Sequence, residues 1–196
     1  MEKTGKHQSS IKEQRDSYWS EFYSNDSVTH QPSDFACYVH QSFNLEGKKV
    51  LDIGCGNGRD AEYFVRKSCQ VIAIDKNSNS NIFDSSVLFL QSGIEDLPDI
   101  KCDIVYSRFF IHAIPLEFEE LFWDYVGRNA KEFHIEARSD KGAFEGDHYR
   151  RFINLEQLKQ RLDARGFIYE YLEGSGLAVH ENEDPIVIRI HGKTNS

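Results

Sequence analysis

The sequence predicts an α/β fold in which a mostly parallel sheet carries helices on both faces. Apolar segments alternate with amphipathic segments from residue 48 onwards, which is the order that βαβ units require. The last two apolar segments, IYEYLEGS and DPIVIRIH, have no helical segment between them. They are therefore predicted to form an antiparallel hairpin at one edge of the sheet.

Two short helices are predicted before the first strand. Residues 17–25 carry aromatic side chains at helical spacing, and a second helix follows a turn at Pro32, with Ser33 as its N-cap. The seven predicted strands are 48–54, 69–75, 87–93, 102–108, 131–138, 168–175 and 184–191. The helices between them are 59–67, 115–130 and 154–167. Asn154 is expected to cap the last helix and Gly166 to end it.

Length and composition limit the classes of protein. A chain of 196 residues predicts one domain at 16–196, after a disordered tail at 1–15. No apolar run approaches the roughly 20 residues of a membrane helix, and no secretory signal is evident, so we expect a cytoplasmic protein that does not bind membranes. The net charge of −9 argues against binding to nucleic acids. The four cysteines form no CxxC pair, and no metal site is predicted.

The most informative motif is VLDIGCGNGRD, in which a strand runs into a glycine loop. The glycines stand at alternate positions: Gly54, Gly56 and Gly58. Without a Cβ they let a ligand approach the backbone, but their spacing differs from the GxGxxG of dinucleotide-binding loops. Asp52 precedes the loop. Its carboxylate would repel a pyrophosphate but suits the amino group and the sulfonium of S-adenosylmethionine.

Asp75 ends the second predicted strand, where an acid can accept hydrogen bonds from ribose hydroxyls. This role is common to NAD and S-adenosylmethionine folds, so Asp75 alone does not distinguish them. The structural alternatives are a capped turn at Asp52 and a strand-ending turn at Asp75. The presence of both acids, each at the end of its predicted strand, favours the cofactor site.

Four segments in order, VLDIGCGNGRD, VIAID, FLQSGIEDLP and CDIVYSRFFIHAIP, resemble the motifs of the class I S-adenosylmethionine-dependent methyltransferases. The resemblance implies a Rossmann-like seven-stranded sheet whose last strand is antiparallel, with S-adenosylmethionine as cofactor. It implies cofactor contacts for Asp52, Gly54, Gly56, Gly58, Asp75, Ile94, Glu95 and Ser107. Members often have an acid at the position of Gly93, so the adenine contact is expected from Glu95 or from the backbone.

Residues 136–158 carry the sequence evidence on the methyl acceptor. They begin at the end of the fifth predicted strand and concentrate cationic side chains in an acidic protein. Arginine binds phosphate or carboxylate groups bidentately. We therefore expect a small, anionic acceptor that is methylated on oxygen. The alternative is that these arginines form surface ion pairs with Glu136, Asp147 or Glu156. The segments YSRFFIHAI, EAR and DHYRRFI resemble a subgroup of small bacterial methyltransferases, but this resemblance names no substrate.

The predicted substrate-binding residues are Tyr18, Tyr23, Arg108, Arg138, Tyr149, Arg150 and Arg151. The candidate bases are His112 and His148, with a structural histidine as the alternative for His112. The helical segment at about 16–45 either packs on the edge of the sheet or forms a lid that excludes water. Rival hypotheses are an NAD-type oxidoreductase, a non-catalytic S-adenosylmethionine-binding module, and a methyltransferase acting on a protein or on a neutral or chalcogen acceptor. The oligomeric state stays open.

Overall fold

The computed structural model describes residues 18, 31–77, 86–142, 151–179 and 183–195. Its strands are β1 (Lys49–Ile53), β2 (Gln70–Asp75), β3 (Leu88–Gln91), β4 (Cys102–Arg108), β5 (Ala130–Arg138), β6 (Ile168–Gly174) and β7 (Val187–Lys193). Its helices are α1 (Asp34–Ser42), α2 (Arg59–Arg66), α3 (Leu116–Asn129) and α4 (Leu155–Ala164), with a 3₁₀ turn at Ile94–Asp96. The seven predicted strands are therefore confirmed, although β3 is shorter than predicted and ends before Gly93.

The strands form one sheet in the order β3-β2-β1-β4-β5-β7-β6. Strands β1 to β5 run parallel, whereas β7 is antiparallel to β5 on one side and to β6 on the other. The predicted antiparallel pair at one edge is confirmed, with β7 inserted between β5 and β6. The chain order reverses between β1 and β4. The carboxyl ends of these two strands flank the crevice in which open α/β sheets bind ligands.

Helices cover both faces of the sheet, each over its own apolar cluster. One cluster contains Phe35 of α1 and Phe64 of α2, and the other contains Trp123 of α3 and Leu158 of α4. All four side chains are fully buried. In the described part of the chain, no helix is both long enough and apolar enough to cross a membrane.

The predicted helix ends are confirmed. Ser33 Oγ accepts a hydrogen bond from the Ala36 N–H at 3.1 Å, and Asn154 Oδ1 accepts one from the Gln157 N–H at 3.1 Å. Gly166 has a φ of +69°, the left-handed conformation that often follows a helix. Of the N-terminal segment before residue 31, only Tyr18 is described. The predicted tail, the first helix and Tyr23 therefore lie outside the described residues.

Candidate cofactor and substrate site

The glycine loop connects β1 to α2 at the carboxyl end of the sheet. Gly54, Gly56 and Gly58 have φ values of +76°, +54° and +76°, which lie in the left-handed region that favours glycine. The N–H groups of Gly54 and Cys55 both donate to the Ile74 carbonyl, at 2.8 and 3.0 Å. The loop is thus tied to the end of β2.

Asp52 lies directly before this loop and is 2% exposed. Its Oδ2 atom is buried and has no hydrogen-bond partner among the described residues. Burial raises the pKa of this carboxyl group well above its ordinary value, and the negative charges of Asp60 and Asp75 raise it further. A buried carboxylate requires a cationic or hydrogen-bonding partner. The amino group of S-adenosylmethionine fits this requirement.

Asp75 lies across the loop from Asp52, at the end of β2. Its Oδ2 accepts a hydrogen bond from the Gly56 N–H at 3.0 Å, and its Oδ1 accepts one from the Asn77 N–H at 2.8 Å. These contacts fix the orientation of the carboxylate. Because each carboxylate oxygen has two lone pairs, this orientation is compatible with additional hydrogen bonds from ribose hydroxyls.

Ile94 and Glu95 lie in the 3₁₀ turn that follows β3. Ile94 is buried, whereas the Glu95 carboxylate folds back towards Gly93 and pairs with Lys76, with Oε1 3.5 Å from Nζ. Lys76 directly follows Asp75, so these residues lie beside the end of β2, at the crevice.

Ser107 connects the two central strands near their carboxyl ends. Its side chain is fully buried, and its Oγ donates to the Ile53 carbonyl at 2.7 Å. This bond holds the end of β4 against the end of β1. The Ser107 side chain therefore links the carboxyl ends of β4 and β1 beside the crevice.

A buried network around Asp60 was not predicted from the sequence. Asp60 Oδ1 accepts from the Ser33 N–H at 2.7 Å, and Asp60 Oδ2 accepts from Ser33 Oγ and from Tyr106 Oη, both at 2.7 Å. The network joins the start of α1 to the start of α2 and to β4. An acid in the first turn after the glycine loop was the available signal, but its partners are 27 and 46 positions away.

Arg108, His112 and Arg138, three of the predicted substrate-side residues, converge on the ring of Phe109. The guanidinium carbons of Arg108 and Arg138 lie 4.1 and 5.4 Å from the ring centroid. The His112 ring lies edge-on, with 5.4 Å between the centroids. Phe109 was not among the predicted site residues.

The arginines in this group are paired with acids. Arg108 Nε lies 2.9 Å from Glu136 Oε1, and Arg189 Nε lies 2.7 Å from Glu136 Oε2. The alternative interpretation therefore named the right acid for Arg108, but Glu136 is fully buried and the pair does not lie on the surface. Arg138 Nη2 pairs with the exposed Glu183 at 2.6 Å, while the Arg138 Nε atom is buried without a hydrogen-bond partner in the described ranges.

His112 is buried and takes part in the backbone of this region. Its Nδ1 accepts a hydrogen bond from the Arg138 N–H at 3.2 Å, and its carbonyl accepts one from the Arg151 N–H at 2.7 Å. An Nδ1 acceptor assigns the neutral tautomer with its proton on Nε2. In this arrangement the His112 side chain is a hydrogen-bond donor through Nε2.

Arg151 extends away from the Phe109 group and pairs with the fully buried Glu119. Its Nη2 also donates to the Ile111 carbonyl at 3.2 Å. Glu119 accepts further bonds from Arg161 Nε at 3.1 Å and from Trp123 Nε1 at 3.0 Å. Arg151 therefore belongs to an ion cluster that connects the loop after β4 to α3 and α4. His148, Tyr149 and Arg150 lie outside the described residues, and their roles stay predictions.

The fold and the cofactor end of the sheet agree with one class of protein. Strand order, the glycine loop and the acids at the ends of β1 and β2 match what the resemblance to the class I S-adenosylmethionine-dependent methyltransferases implies. Residues 28–123 match the family model described as a methyltransferase domain. This segment of the chain is a methyltransferase domain, and S-adenosylmethionine is its cofactor.

Individual relatives are similar over different shares of the chain. A ribosomal protein arginine N-methyltransferase of Schizosaccharomyces pombe is 31% identical over 54% of this chain and 23% of its own length. An uncharacterized protein of Haemophilus influenzae is 28% identical over 73% of this chain and 45% of its own length. The chain thus spans less than half the length of these curated relatives.

Structural similarity extends over almost the whole chain. The structure of Burkholderia thailandensis 1,6-didemethyltoxoflavin-N1-methyltransferase, with bound 1,6-didemethyltoxoflavin and S-adenosylhomocysteine, superimposes with a TM-score of 0.71. The match covers 98% of this chain and 94% of that chain at 17% sequence identity. At this level of identity the similarity shows a common fold.

Proposed function

We propose that the protein transfers the methyl group of S-adenosylmethionine to a small anionic metabolite, on an oxygen of a phosphate, phosphonate, carboxylate or hydroxyl group. The observation that carries this proposal is the buried Nε of Arg138, which lacks a hydrogen-bond partner among the described residues. A buried donor without an acceptor is costly. An anionic oxygen of the acceptor would satisfy it.

The charges around Arg138 favour an anion. Two arginines, Arg108 and Arg189, share the single buried carboxylate of Glu136. This row of three charged side chains across neighbouring strands, the Arg108–Glu136–Arg189 ladder, carries one excess positive charge. The partner of Arg138 is Glu183, whose side chain is 66% exposed. Exposed ion pairs contribute little free energy, so an acceptor anion can replace Glu183 at low cost.

The state of His112 is consistent with an acceptor that is already ionised. A neutral hydroxyl benefits from a general base, whereas an anionic oxygen needs none. With its Nδ1 accepting from the Arg138 N–H, His112 is suited to donate through Nε2 rather than to remove a proton. We propose that His112 orients the Arg138 backbone, and that the base called for by a neutral acceptor would come from elsewhere.

Within this proposal the protein acts mainly by alignment. Bound S-adenosylmethionine supplies a methyl group on a sulfonium, which is a good leaving group. Asp52 would hold the amino group, and Asp75 the ribose. Arg138 and Arg108 would hold the acceptor at the neighbouring strand ends. Alignment of two reactants in a water-excluding site lowers the barrier because their translational and rotational freedom is already lost.

An assay for release of S-adenosylhomocysteine tests the proposal. The panel consists of phosphorylated, phosphonate, carboxylate and neutral hydroxyl metabolites, and calorimetry with S-adenosylmethionine and with NAD identifies the cofactor. Arg138→Gln should raise the KM of the acceptor by about 10- to 100-fold, the loss of one charge-assisted hydrogen bond. The Kd of S-adenosylmethionine should not change.

The exposed Arg66, whose side chain is 56% exposed, provides the control variant Arg66→Gln. It removes the same charge far from the crevice and should leave the KM of the acceptor unchanged. Turnover of neutral hydroxyl compounds alone would contradict the anionic acceptor. Binding of NAD without binding of S-adenosylmethionine would contradict the whole function.

An arginine side chain of a protein is a second candidate acceptor. It is supported by the similarity to the ribosomal protein arginine N-methyltransferase of Schizosaccharomyces pombe and by the net charge of −9, which favours basic partners. The excess positive charge of the Arg108–Glu136–Arg189 ladder argues against it, because a guanidinium acceptor would be repelled. An arginine-rich peptide in the same assay distinguishes the two candidates.

A further inference from the structure

Phe109 has a backbone conformation that bulky residues rarely adopt. Its φ is +58°, in the left-handed region, where the Cβ crowds the backbone. Among the described residues, the one other non-glycine residue with positive φ is Ser68, just after α2 at the opposite end of the sheet. The Phe109 N–H donates to the Glu136 carbonyl at 2.8 Å, so the pairing of β4 with β5 holds the strained residue in place.

Phe109 and its neighbour Phe110 place their aromatic rings against different groups. Phe110 packs against the glycine loop, so closely that a Cβ on Gly54 would lie 2.5 Å from its Cδ2. The ring of Phe109 instead contacts the guanidinium groups of Arg108 and Arg138. The conformation at Phe109 therefore places one ring on the cofactor loop and the other among the arginines of the acceptor side.

The ring of Phe109 brings together two groups that repel each other. The face of an aromatic ring carries partial negative charge and attracts guanidinium groups. Arg108 is also held by Glu136 at 2.9 Å, so its position is fixed by two contacts. Arg138 has only the exposed Glu183 as an ion-pair partner among the described residues. Its guanidinium therefore depends on the ring of Phe109 more than that of Arg108 does.

We propose that Phe109 is a positioning residue, whose ring holds the guanidinium of Arg138 so that its Nε–H faces the anionic group of the acceptor. The hydrogen bond of the Phe109 N–H to the Glu136 carbonyl holds the strained conformation, in which the ring lies against the arginines. The nature of the acceptor rests on the proposed function. The orientation of Arg138 by Phe109 does not, because it can be measured without any acceptor.

The first experiment observes the Nε–H resonance of Arg138 in ¹H–¹⁵N spectra of the protein. Phe109→Leu removes the aromatic ring and Phe109→Tyr keeps it, and both carry the same backbone cost at positive φ. In Phe109→Leu, the Arg138 resonance should lose its ring-current shift and its protection from exchange. Phe109→Tyr should retain both. The Nε–H of Arg161, which is bound to Glu119 at 3.1 Å, is the internal control.

The second experiment titrates inorganic phosphate into the protein saturated with S-adenosylhomocysteine and follows the same resonance. Phe109→Leu should weaken phosphate binding by about tenfold, the loss of about one charge-assisted hydrogen bond, and Phe109→Tyr by less than about twofold. Thermal unfolding of each variant shows whether it folds. If Phe109→Leu does not fold, Phe109→Met makes the same comparison.

The outcomes separate the two proposals. An unchanged Arg138 resonance in Phe109→Leu, or equal weakening in the Leu and Tyr variants, overturns the positioning role. In a further outcome, phosphate fails to shift the Arg138 resonance of the wild type while the Phe109→Leu substitution itself shifts that resonance. This result supports the positioning of Arg138 by Phe109. In that case a phosphate or phosphonate acceptor is overturned, whereas the positioning role stands.

Discussion

The carboxylate of Glu95 fills the space beside Gly93 that a side chain at position 93 would occupy. Members of the class often have an acid at that position, and here a carboxylate reaches the same place from two residues further along the chain. Glu95 is also anchored by Lys76, with 3.5 Å between Oε1 and Nζ. The absence of a side chain at Gly93 and the presence of an acid at Glu95 are thus two parts of one arrangement.

If the Glu95 carboxylate accepts a hydrogen bond from the amino group of the adenine, Glu95→Ala should raise the Kd of S-adenosylmethionine. The expected increase is about five- to tenfold, the loss of one hydrogen bond, as measured by calorimetry. Gly93→Asp alone should also weaken binding, because the new side chain meets the Glu95 carboxylate. The double variant Gly93→Asp/Glu95→Ala should restore much of the affinity. A double variant that binds S-adenosylmethionine no more tightly than either single variant would show that Glu95 does not replace an acid at position 93.

Asp52→Asn should have opposite effects on cofactor affinity and on stability. Burial raises the pKa of Asp52 well above the ordinary value of about 3.9. Above that pH the native state holds the proton more tightly than the unfolded chain does, so the native state loses stability as the pH rises. Asparagine removes this cost. At pH 8 we expect a higher free energy of unfolding by about 1–3 kcal/mol.

The affinity of Asp52→Asn for S-adenosylmethionine should nevertheless fall about 10- to 100-fold, because the charge that faces the amino group is lost. Asp99, whose side chain is 69% exposed, is the matched control, and Asp99→Asn should change neither quantity. A less stable Asp52→Asn protein with unchanged cofactor affinity would argue for a purely structural carboxylate.

The buried pair His134 and His191 should make the protein sensitive to acid. Their Nδ1 atoms are 2.9 Å apart, and burial lowers the pKa of His134 to about 3 and that of His191 to about 4. Neighbouring positive charges on Lys48 and Arg189 add to the respective shifts. Since the unfolded histidines titrate near 6.5, their contribution is fully present above that pH and is lost as the pH falls towards 4 and 3.

Urea denaturation at pH 7.5 and at pH 5 measures this effect. Below about pH 6 the free energy of unfolding should fall by about 1.4 kcal/mol per pH unit for each of the two histidines. The double variant His134→Leu/His191→Leu should show a smaller fall between the two pH values, and each single variant an intermediate one. A double variant with the wild-type pH dependence would show that other groups are responsible.

Arg150→Ala and Arg151→Ala should behave differently although the residues are adjacent. Arg151 pairs with the fully buried Glu119, and removal of one partner of such a pair costs about 3 kcal/mol. We therefore expect a lower free energy of unfolding for Arg151→Ala. Arg150→Ala should instead raise the KM of the acceptor without loss of stability. A stable Arg151→Ala protein with a raised KM would return Arg151 to the acceptor site.

Much of the fold could be predicted because its signals are local. The alternation of apolar and amphipathic segments predicts the seven strands, and the caps at Ser33 and Asn154 form bonds to residues only three positions away. Glycines with positive φ and an acid before them describe a loop whose shape depends on its own backbone. For these features the sequence contains both partners within one segment.

The acceptor side could not be predicted in the same way. The parallel register of β4 and β5 places Arg108 beside Glu136, and the antiparallel register of β5 and β7 places Glu136 beside Arg189. These partners are 28 and 53 positions apart in the chain. A count of cationic residues indicates an anion site, but it does not say which cations an acid already holds.

By itself, the sequence determined the order of the strands along the chain, the glycine loop and the carboxylate of Asp52 from which the cofactor was predicted, because each depends on local pattern and charge. The tertiary structure decided their spatial order in the sheet and paired Arg151 with Glu119. It also gathered Arg108, His112 and Arg138 around Phe109. The physical reason is that side chains distant in sequence meet only through the register of the sheet and the packing of helices on it.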